Sequence, residues 1–145
     1  MKTRISLLSS ACLLLAACNS TTTNEALKVE DAPYLTAEQI KTQIIGNTMT
    51  GTAIGRTGTR YPYKLHLQDG KYQDRILVNG KPQRATGTYF ITDDGRICTN
   101  VKAYRNGNTS CQKYQPKDGK LLVVDVSEDY QLKPHLTTIE PGLTF

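Results

Sequence analysis

The sequence has few of the residues from which enzyme active sites are usually built. It contains two histidines and no tryptophan among 145 residues, and neither a Gly-x-Ser-x-Gly nor a His-Glu-x-x-His motif is present. A nucleophilic triad needs a base held beside its nucleophile, so a triad here would have to use His66 or His135. The sequence therefore predicts a protein that is not an enzyme, with no catalytic residue, no metal site and no cofactor.

Both histidines have a simpler interpretation than catalysis. His66 and His135 alternate with leucines in strand-like runs, so they should face solvent if the leucines face the core. The nearest pair of acids, Asp93-Asp94, lies in a turn-like sequence, where aspartate commonly bonds to the backbone.

Signals for nucleotide or nucleic-acid binding are also weak. The glycine-rich stretch from Gly51 to Arg60 lacks the Gly-Lys-Ser/Thr ending of a phosphate loop, and no helical pattern follows it. We interpret it as a loop between the first two strands, with Arg56 and Arg60 as candidate anion-binding residues. The basic residues are scattered, whereas nucleic-acid binding favours a clustered basic face, so no nucleic-acid partner is predicted.

Long hydrophobic runs are absent except at the start of the chain. Lys2 and Arg4 precede an apolar run that ends at Leu15-Ala16-Ala17-Cys18, which is typical of a signal peptide over residues 1–17. The run is shorter than the roughly 20 residues of a membrane span. Its ending resembles the lipobox of bacterial lipoproteins, in which the cysteine is acylated and becomes the new N-terminus. An ordinary signal cut after Ala17, leaving a free thiol, is the alternative.

The lipoprotein resemblance implies a cellular location for the protein and a division of the chain into segments. It implies that Cys18 carries lipid, and Asn19 after it favours the outer membrane over the inner. Residues 18–33 are polar and predict a flexible lipidated tether, and residues 34–145 form the single domain. Loss of the signal lowers the formal net charge from +5 to +3, which suits anionic lipid headgroups or polyanionic glycans.

The cysteines that remain in the domain predict one disulfide. Cys98 and Cys111 would oxidise in the cell envelope, and two cysteines alone are too few ligands for a metal. A tight turn at Asn106-Gly107 would place Lys102, not Cys98, opposite Cys111. The disulfide therefore predicts a broad loop over residues 104–109.

One helix is predicted before the strands. Thr36 and Gln39 have the spacing of a capping box, and Ile40 and Ile44 share a helix face. With Gly46 as its stop, the helix should run from about Ala37 to Ile45 and must pack on a sheet, because so short a helix is unstable alone.

The rest of the domain has the pattern of a mainly β protein. Five dipeptides of the hairpin-turn type separate short strand-like runs, and they are Asp69-Gly70, Asn79-Gly80, Asp94-Gly95, Asn106-Gly107 and Asp118-Gly119. About eight strands in meander order predict a small antiparallel barrel or curled sheet, similar in outline to a lipocalin. Seven of the eight tyrosines in the sequence fall in this β region, and these either form a binding face or are ordinary strand residues.

Short motifs resemble a loosely defined set of small exported proteobacterial proteins of unknown function. They are Gly46-Asn47-Thr48 after the helix, and Gly87-Thr88-Tyr89 followed by Gly95-Arg96-Ile97-Cys98 with a second cysteine about a dozen residues on. The resemblance covers roughly residues 35–126, although many members have Trp where this chain has Tyr89. It implies export and a β-rich domain, and it supplies no catalytic residues.

These observations predict an outer-membrane-anchored lipoprotein with a non-enzymatic domain. Its partners would be the membrane, through the N-terminal lipid, and an unknown envelope protein, glycan or small ligand. A lysozyme-type inhibitor is the alternative, although a basic domain would repel a cationic lysozyme. A glycan-acting enzyme is a third hypothesis.

Overall fold

Strands dominate the fold of the computed structural model, which describes residues 27–129 and 132–145. The described elements are α1 Ala37–Gln43, β1 Thr48–Gly55, β2 Arg60–Gln68, β3 Lys71–Val78, β4 Lys81–Ile91, β5 Ile97–Asn100, β6 Ser110–Lys117, β7 Lys120–Asp125, β8 Leu132–Lys133 and β9 His135–Glu140. The predicted signal peptide and Cys18 lie outside the described residues, and the signal, the lipid and the tether stay predictions.

β1 closes the sheet into a barrel because it pairs with both β2 and β9. The other neighbours follow the chain from β2 to β7, and β7 then pairs antiparallel with β9. The short β8 adds to the end of β1 at Ile54 and Gly55. The described strands therefore form an eight-stranded antiparallel barrel with one extra strand, which confirms the predicted fold class.

Tight turns of the predicted kind join three pairs of strands. Asp69-Gly70, Asn79-Gly80 and Asp118-Gly119 each have positive φ at both residues, between 50° and 75°. Two residues of positive φ match the right-handed twist of the strands they join. These turns fix the register of β2 on β3, β3 on β4 and β6 on β7.

Helix α1 plugs one end of the barrel, which we call the closed end. Thr36 and Gln39 form the predicted capping box, with backbone-to-side-chain distances of 2.9 and 3.2 Å. Ile40 and Ile44 have no exposed surface and belong to the hydrophobic core. The helix ends two residues before the predicted Ile45. Packing against the closed end stabilises a helix that is too short to persist alone.

The disulfide joins β5 to β6 on the wall of the barrel. Cys98 and Cys111 are directly paired across the two strands, with Cα atoms 4.0 Å apart. Residues 101–109 connect the strands and contain one turn of 3-10 helix at Arg105–Gly107. The predicted broad loop is therefore confirmed, and it is wider than residues 104–109.

Residues 27–34 precede the helix without regular secondary structure and contact the outside of the barrel. The Gln115 side chain donates hydrogen bonds to the carbonyl oxygens of Glu30 and Ala32, and the Leu35 amide donates to the Tyr114 carbonyl. Gln115 is 1% exposed although it faces outward. The last part of the predicted tether therefore packs on β6, which the sequence pattern did not separate as a strand.

Candidate functional site

The barrel interior is hollow toward the end opposite the helix, which we call the open end. A cavity of about 420 Å³ lies there, bounded by inward-facing side chains of the strands and by the loop between β5 and β6. Five tyrosines line it: Tyr61, Tyr63, Tyr72, Tyr104 and Tyr114. The cavity is within the size range of small-molecule sites, near the lower limit.

A buried carboxylate holds two of these tyrosines in place. Asp74 is 4% exposed and accepts hydrogen bonds from the Tyr72 hydroxyl at 2.6 Å and the Tyr104 hydroxyl at 3.1 Å. The Ala85 amide donates to the same carboxylate at 3.0 Å. Burial raises the pKa of Asp74, and these three hydrogen bonds to its charged form oppose that shift. Since Tyr104 belongs to the β5–β6 loop, this cluster fastens the loop over the open end.

His135 lies inside the barrel, so the prediction that it faces solvent is wrong. It is 3% exposed and its register partner Val123 belongs to the hydrophobic core, whereas Leu136 faces outward. His135 Nε2 lies 3.2 Å from the Tyr63 hydroxyl, and Nδ1 lies 3.1 Å from the Lys133 carbonyl oxygen. Because only Nδ1–H can donate to that carbonyl, Nε2 accepts from Tyr63.

Burial shifts the pKa values of both His135 and Tyr63. It lowers the pKa of His135, so the imidazole is neutral near pH 7. It raises the pKa of Tyr63 to about 12, so the phenol keeps its proton. Gly51 pairs with Tyr63 across β1 and β2, and a Cβ there would lie 2.8 Å from the Leu136 carbonyl oxygen and 3.1 Å from the Tyr63 hydroxyl. The glycine therefore leaves room for the Tyr63–His135 contact.

The prediction for His66 is also wrong, for a different reason. Its neighbours Leu65 and Leu67 are buried in the core, so His66 does face outward, yet it is only 5% exposed. Its Nδ1 lies 3.0 Å from the Asn47 carbonyl oxygen and its Nε2 lies 3.1 Å from the Gln68 side chain. The connection between α1 and β1 supplies the first of these partners. His66 therefore belongs to the packing at the closed end, away from the cavity.

A polar network forms the rim of the open end. Asp125 Oδ1 accepts from the Ser127 hydroxyl at 2.6 Å, and Arg105 donates to Ser127 at 3.3 Å and forms an ion pair with Asp129. Arg105 Nε is buried and has no hydrogen-bond partner within the described part of the chain. A buried donor without a partner is costly. Arg105 is also among the residues that line the cavity.

The outer wall of the barrel carries a second concave region, which we call the basic groove. Its cations are Arg60, Lys64, Arg75, Lys120 and Lys133. Apolar residues between them include Ile54, Pro62, Leu77 and Leu136. The groove measures about 1170 Å³ and is open to solvent. No acidic residue lines it among those described.

The two predicted anion-binding arginines are placed differently. Arg60 begins β2 and lines the basic groove, whereas Arg56 is exposed in the turn between β1 and β2 and lines neither concave region. Only residues 56–59 separate β1 from β2, so the predicted loop over Gly51–Arg60 is wrong in extent. Its first half pairs as β1 with β2.

The described residues offer neither a metal centre nor a membrane-spanning helix. They contain no cluster of three or more potential metal ligands and no helix that is long and apolar enough to cross a membrane. Tyr130 lies outside the described residues. No protein-family model matches the chain, and neither a curated protein nor a solved structure matches it.

Proposed function

We propose that the domain binds one small ligand in the open end of its barrel and that an N-terminal lipid holds it at the outer membrane. The cavity of about 420 Å³ lined by five tyrosines is the observation that carries this proposal. A barrel of eight strands has room for side chains alone or for one small ligand. Here the side chains fill the closed end around α1 and leave the open end hollow.

The walls favour a flat ligand of low charge. The hydroxyls of Tyr63, Tyr72, Tyr104 and Tyr114 already have hydrogen-bond partners, so these residues offer ring surface rather than donors. Aromatic surface binds flat, weakly polar rings through stacked or edge contacts. The carboxylates of Asp74 and Asp125 also line the cavity and would repel an anion.

The rim supplies one specific polar contact. Arg105 Nε and Thr50 Oγ1 are the two buried side-chain polar atoms without a partner among the described residues. Of these, only Arg105 belongs to the lining of the cavity, and rotation of its side chain toward the cavity mouth would let a ligand oxygen accept from Nε. Such a contact orients a ligand whose ring lies against the tyrosines. The proposed ligand class is therefore a small, uncharged ring compound with an oxygen acceptor.

Thermal unfolding of the processed protein with a library of such compounds tests this proposal. A ligand at 100 times its Kd stabilises the folded state by about 2.7 kcal/mol, which raises Tm measurably. Ala53→Leu adds carbon inside the cavity and should abolish the shift. Thr86→Leu, on the exposed outer face of β4, is the matched control and should keep it.

Other outcomes of that experiment favour other functions. If no compound stabilises the protein, or if Ala53→Leu responds as the parent does, the cavity is not the binding site. Inhibition of a lysozyme by the same preparation would favour the inhibitor hypothesis instead.

The anchor has its own test. The proposal predicts that mass spectrometry of the protein from bacterial membranes finds an N-terminus at Cys18 that carries acyl chains. Cys18→Ala should release the protein from the membrane fraction. An N-terminus at residue 18 with an unmodified thiol would overturn the lipid anchor and leave the ligand proposal standing.

A further inference from the structure

The basic groove on the barrel wall concentrates positive charge that acids do not balance. Lys64 lies 3.3 Å from Glu140, which neutralises it in part. The other four cations of the groove form no ion pair with any described residue. Since the groove is lined without an acid, the whole surface favours an anion.

The groove differs from a simple polyanion site because its surface between the cations is apolar. Ile54, Leu77 and Leu136 project outward from β1, β3 and β9 into it. A free polyanion such as a glycan gains little from contact with these side chains. An anionic lipid surface offers both charged headgroups and adjacent hydrocarbon.

The start of the described chain lies at the groove. Leu27 lines the groove, and it lies nine positions after Cys18 in the sequence. A chain of that length reaches at most about 30 Å even when fully extended. If Cys18 carries lipid, the groove therefore remains close to the headgroups of the anchoring leaflet.

We infer that the basic groove docks the barrel wall on the anionic phospholipid surface of the membrane that holds its anchor. This inference rests on the lipid anchor of the proposed function and does not depend on the ligand cavity. Docking by this wall would fix the orientation of the barrel relative to the membrane, which a flexible tether alone would not do. Each Lys or Arg near an anionic leaflet adds to affinity, and the effect weakens with salt.

Lysine labelling on vesicles tests the inference with the whole processed protein. The protein is bound to vesicles of phosphatidylcholine alone or with added phosphatidylglycerol, and its lysines are acylated by a water-soluble reagent and quantified by mass spectrometry. Labelling of Lys120 and Lys133 should fall severalfold only on the anionic vesicles and recover in high salt. Lys41, Lys71 and Lys102 are exposed outside the groove, and their labelling should not change.

A pair of variants gives the second arm. Arg60→Gln with Arg75→Gln should remove the protection, and in a form that lacks acyl chains it should weaken binding to anionic vesicles roughly 30-fold. Lys41→Gln with Lys71→Gln removes the same charge and should change neither readout. Equal labelling on both vesicle types would overturn the inference. Protection by heparin but not by anionic vesicles would overturn it too, and would assign the groove to a polyanion.

Discussion

Filling the cavity from Ala53 should stabilise the protein, whereas the same change at Ala85, a packed position of the barrel wall, should destabilise it. Ala53 on β1 lines the cavity and Ala85 on β4 belongs to the hydrophobic core, and each is 7% exposed. The two positions therefore have the same exposure, but Ala53 faces the cavity whereas Ala85 faces packed side chains. Alanine to leucine is the same chemical change at both.

The magnitudes follow from burial and packing. At about 0.8 kcal/mol per buried methylene, the carbons that leucine adds at residue 53 should raise the free energy of unfolding by up to about 2 kcal/mol. Extra carbon in a packed core forces strained side chains and typically costs about 1–3 kcal/mol. Ala85 also donates its amide to Asp74 at 3.0 Å, so displacement of β4 would disturb that cluster as well.

Urea unfolding followed by circular dichroism measures both changes. We expect the midpoint of Ala53→Leu to rise and that of Ala85→Leu to fall, with equal m-values showing that each change is one of stability. Similar destabilisation by both variants would mean that the interior at Ala53 is filled. The protein in solution would then lack the open-end cavity that the proposed ligand site requires.

Three further predictions concern buried ionisable groups and the disulfide. Burial raises the pKa of Asp74 above its ordinary 3.8. The protonated side chain therefore contributes to the free energy of unfolding below pH 3.8, and this contribution is lost as pH rises through the raised pKa. Urea titrations over pH should show this loss in the parent and not in Asp74→Asn. Burial lowers the pKa of His135 below 6.5, so the contribution of its neutral form to the free energy of unfolding is present above pH 6.5 and is lost as pH falls. In urea unfolding, His135→Gln should therefore lose less stability than the parent between neutral and mildly acidic pH. An equal loss of stability in the two proteins would contradict the burial of His135. Cys98 and Cys111 are 13 residues apart, and replacing both by alanine should lower the free energy of unfolding by roughly 3 kcal/mol in urea unfolding. If the urea midpoint of the parent is the same under reducing and oxidising conditions, the disulfide does not form.

The features that the sequence predicts best are local ones. Asp69-Gly70 and Asn79-Gly80 form turns through their own backbone preferences, and Thr36 with Gln39 caps the helix within one turn. The disulfide predicts the broad loop because register requires Cys98 to face Cys111. Each of these features depends on a few neighbouring residues, so a linear pattern is sufficient.

The features that the sequence misses depend on what covers each face of the barrel. β6 has the polar sequence Ser110–Lys117, and it shows no apolar alternation because the inward-facing Ser110 and Gln112, which line the cavity, are polar. On its outer face, Gln115 is buried under the segment from Glu30 to Ala32. His135 was assigned outward since Leu136 was assumed to face the core, yet Leu136 lines the outer groove. Alternation gives two faces without saying which is inside.

The candidate site depends both on features that are evident in the sequence and on long-range contacts that are not. The number of tyrosines, eight, is evident in the sequence, but the meeting of five of them at one end depends on closure of the barrel between β1 and β9. Arg105 gave no sequence signal, since its importance comes from a loop whose path Tyr104 and Asp74 fix. Long-range pairing of this kind has no signature in a single sequence.

NMR mapping of a bound ligand shows directly whether the open end of the barrel is the binding site. The isotope-labelled protein is titrated with a ring compound that raises its Tm, and the shift changes are assigned along the chain. We expect the largest changes on inward-facing residues of the open end, including Tyr63, Ile76 and Thr99. Changes confined to the outer wall, or to the closed end around Ile40 and Ile44, would contradict it.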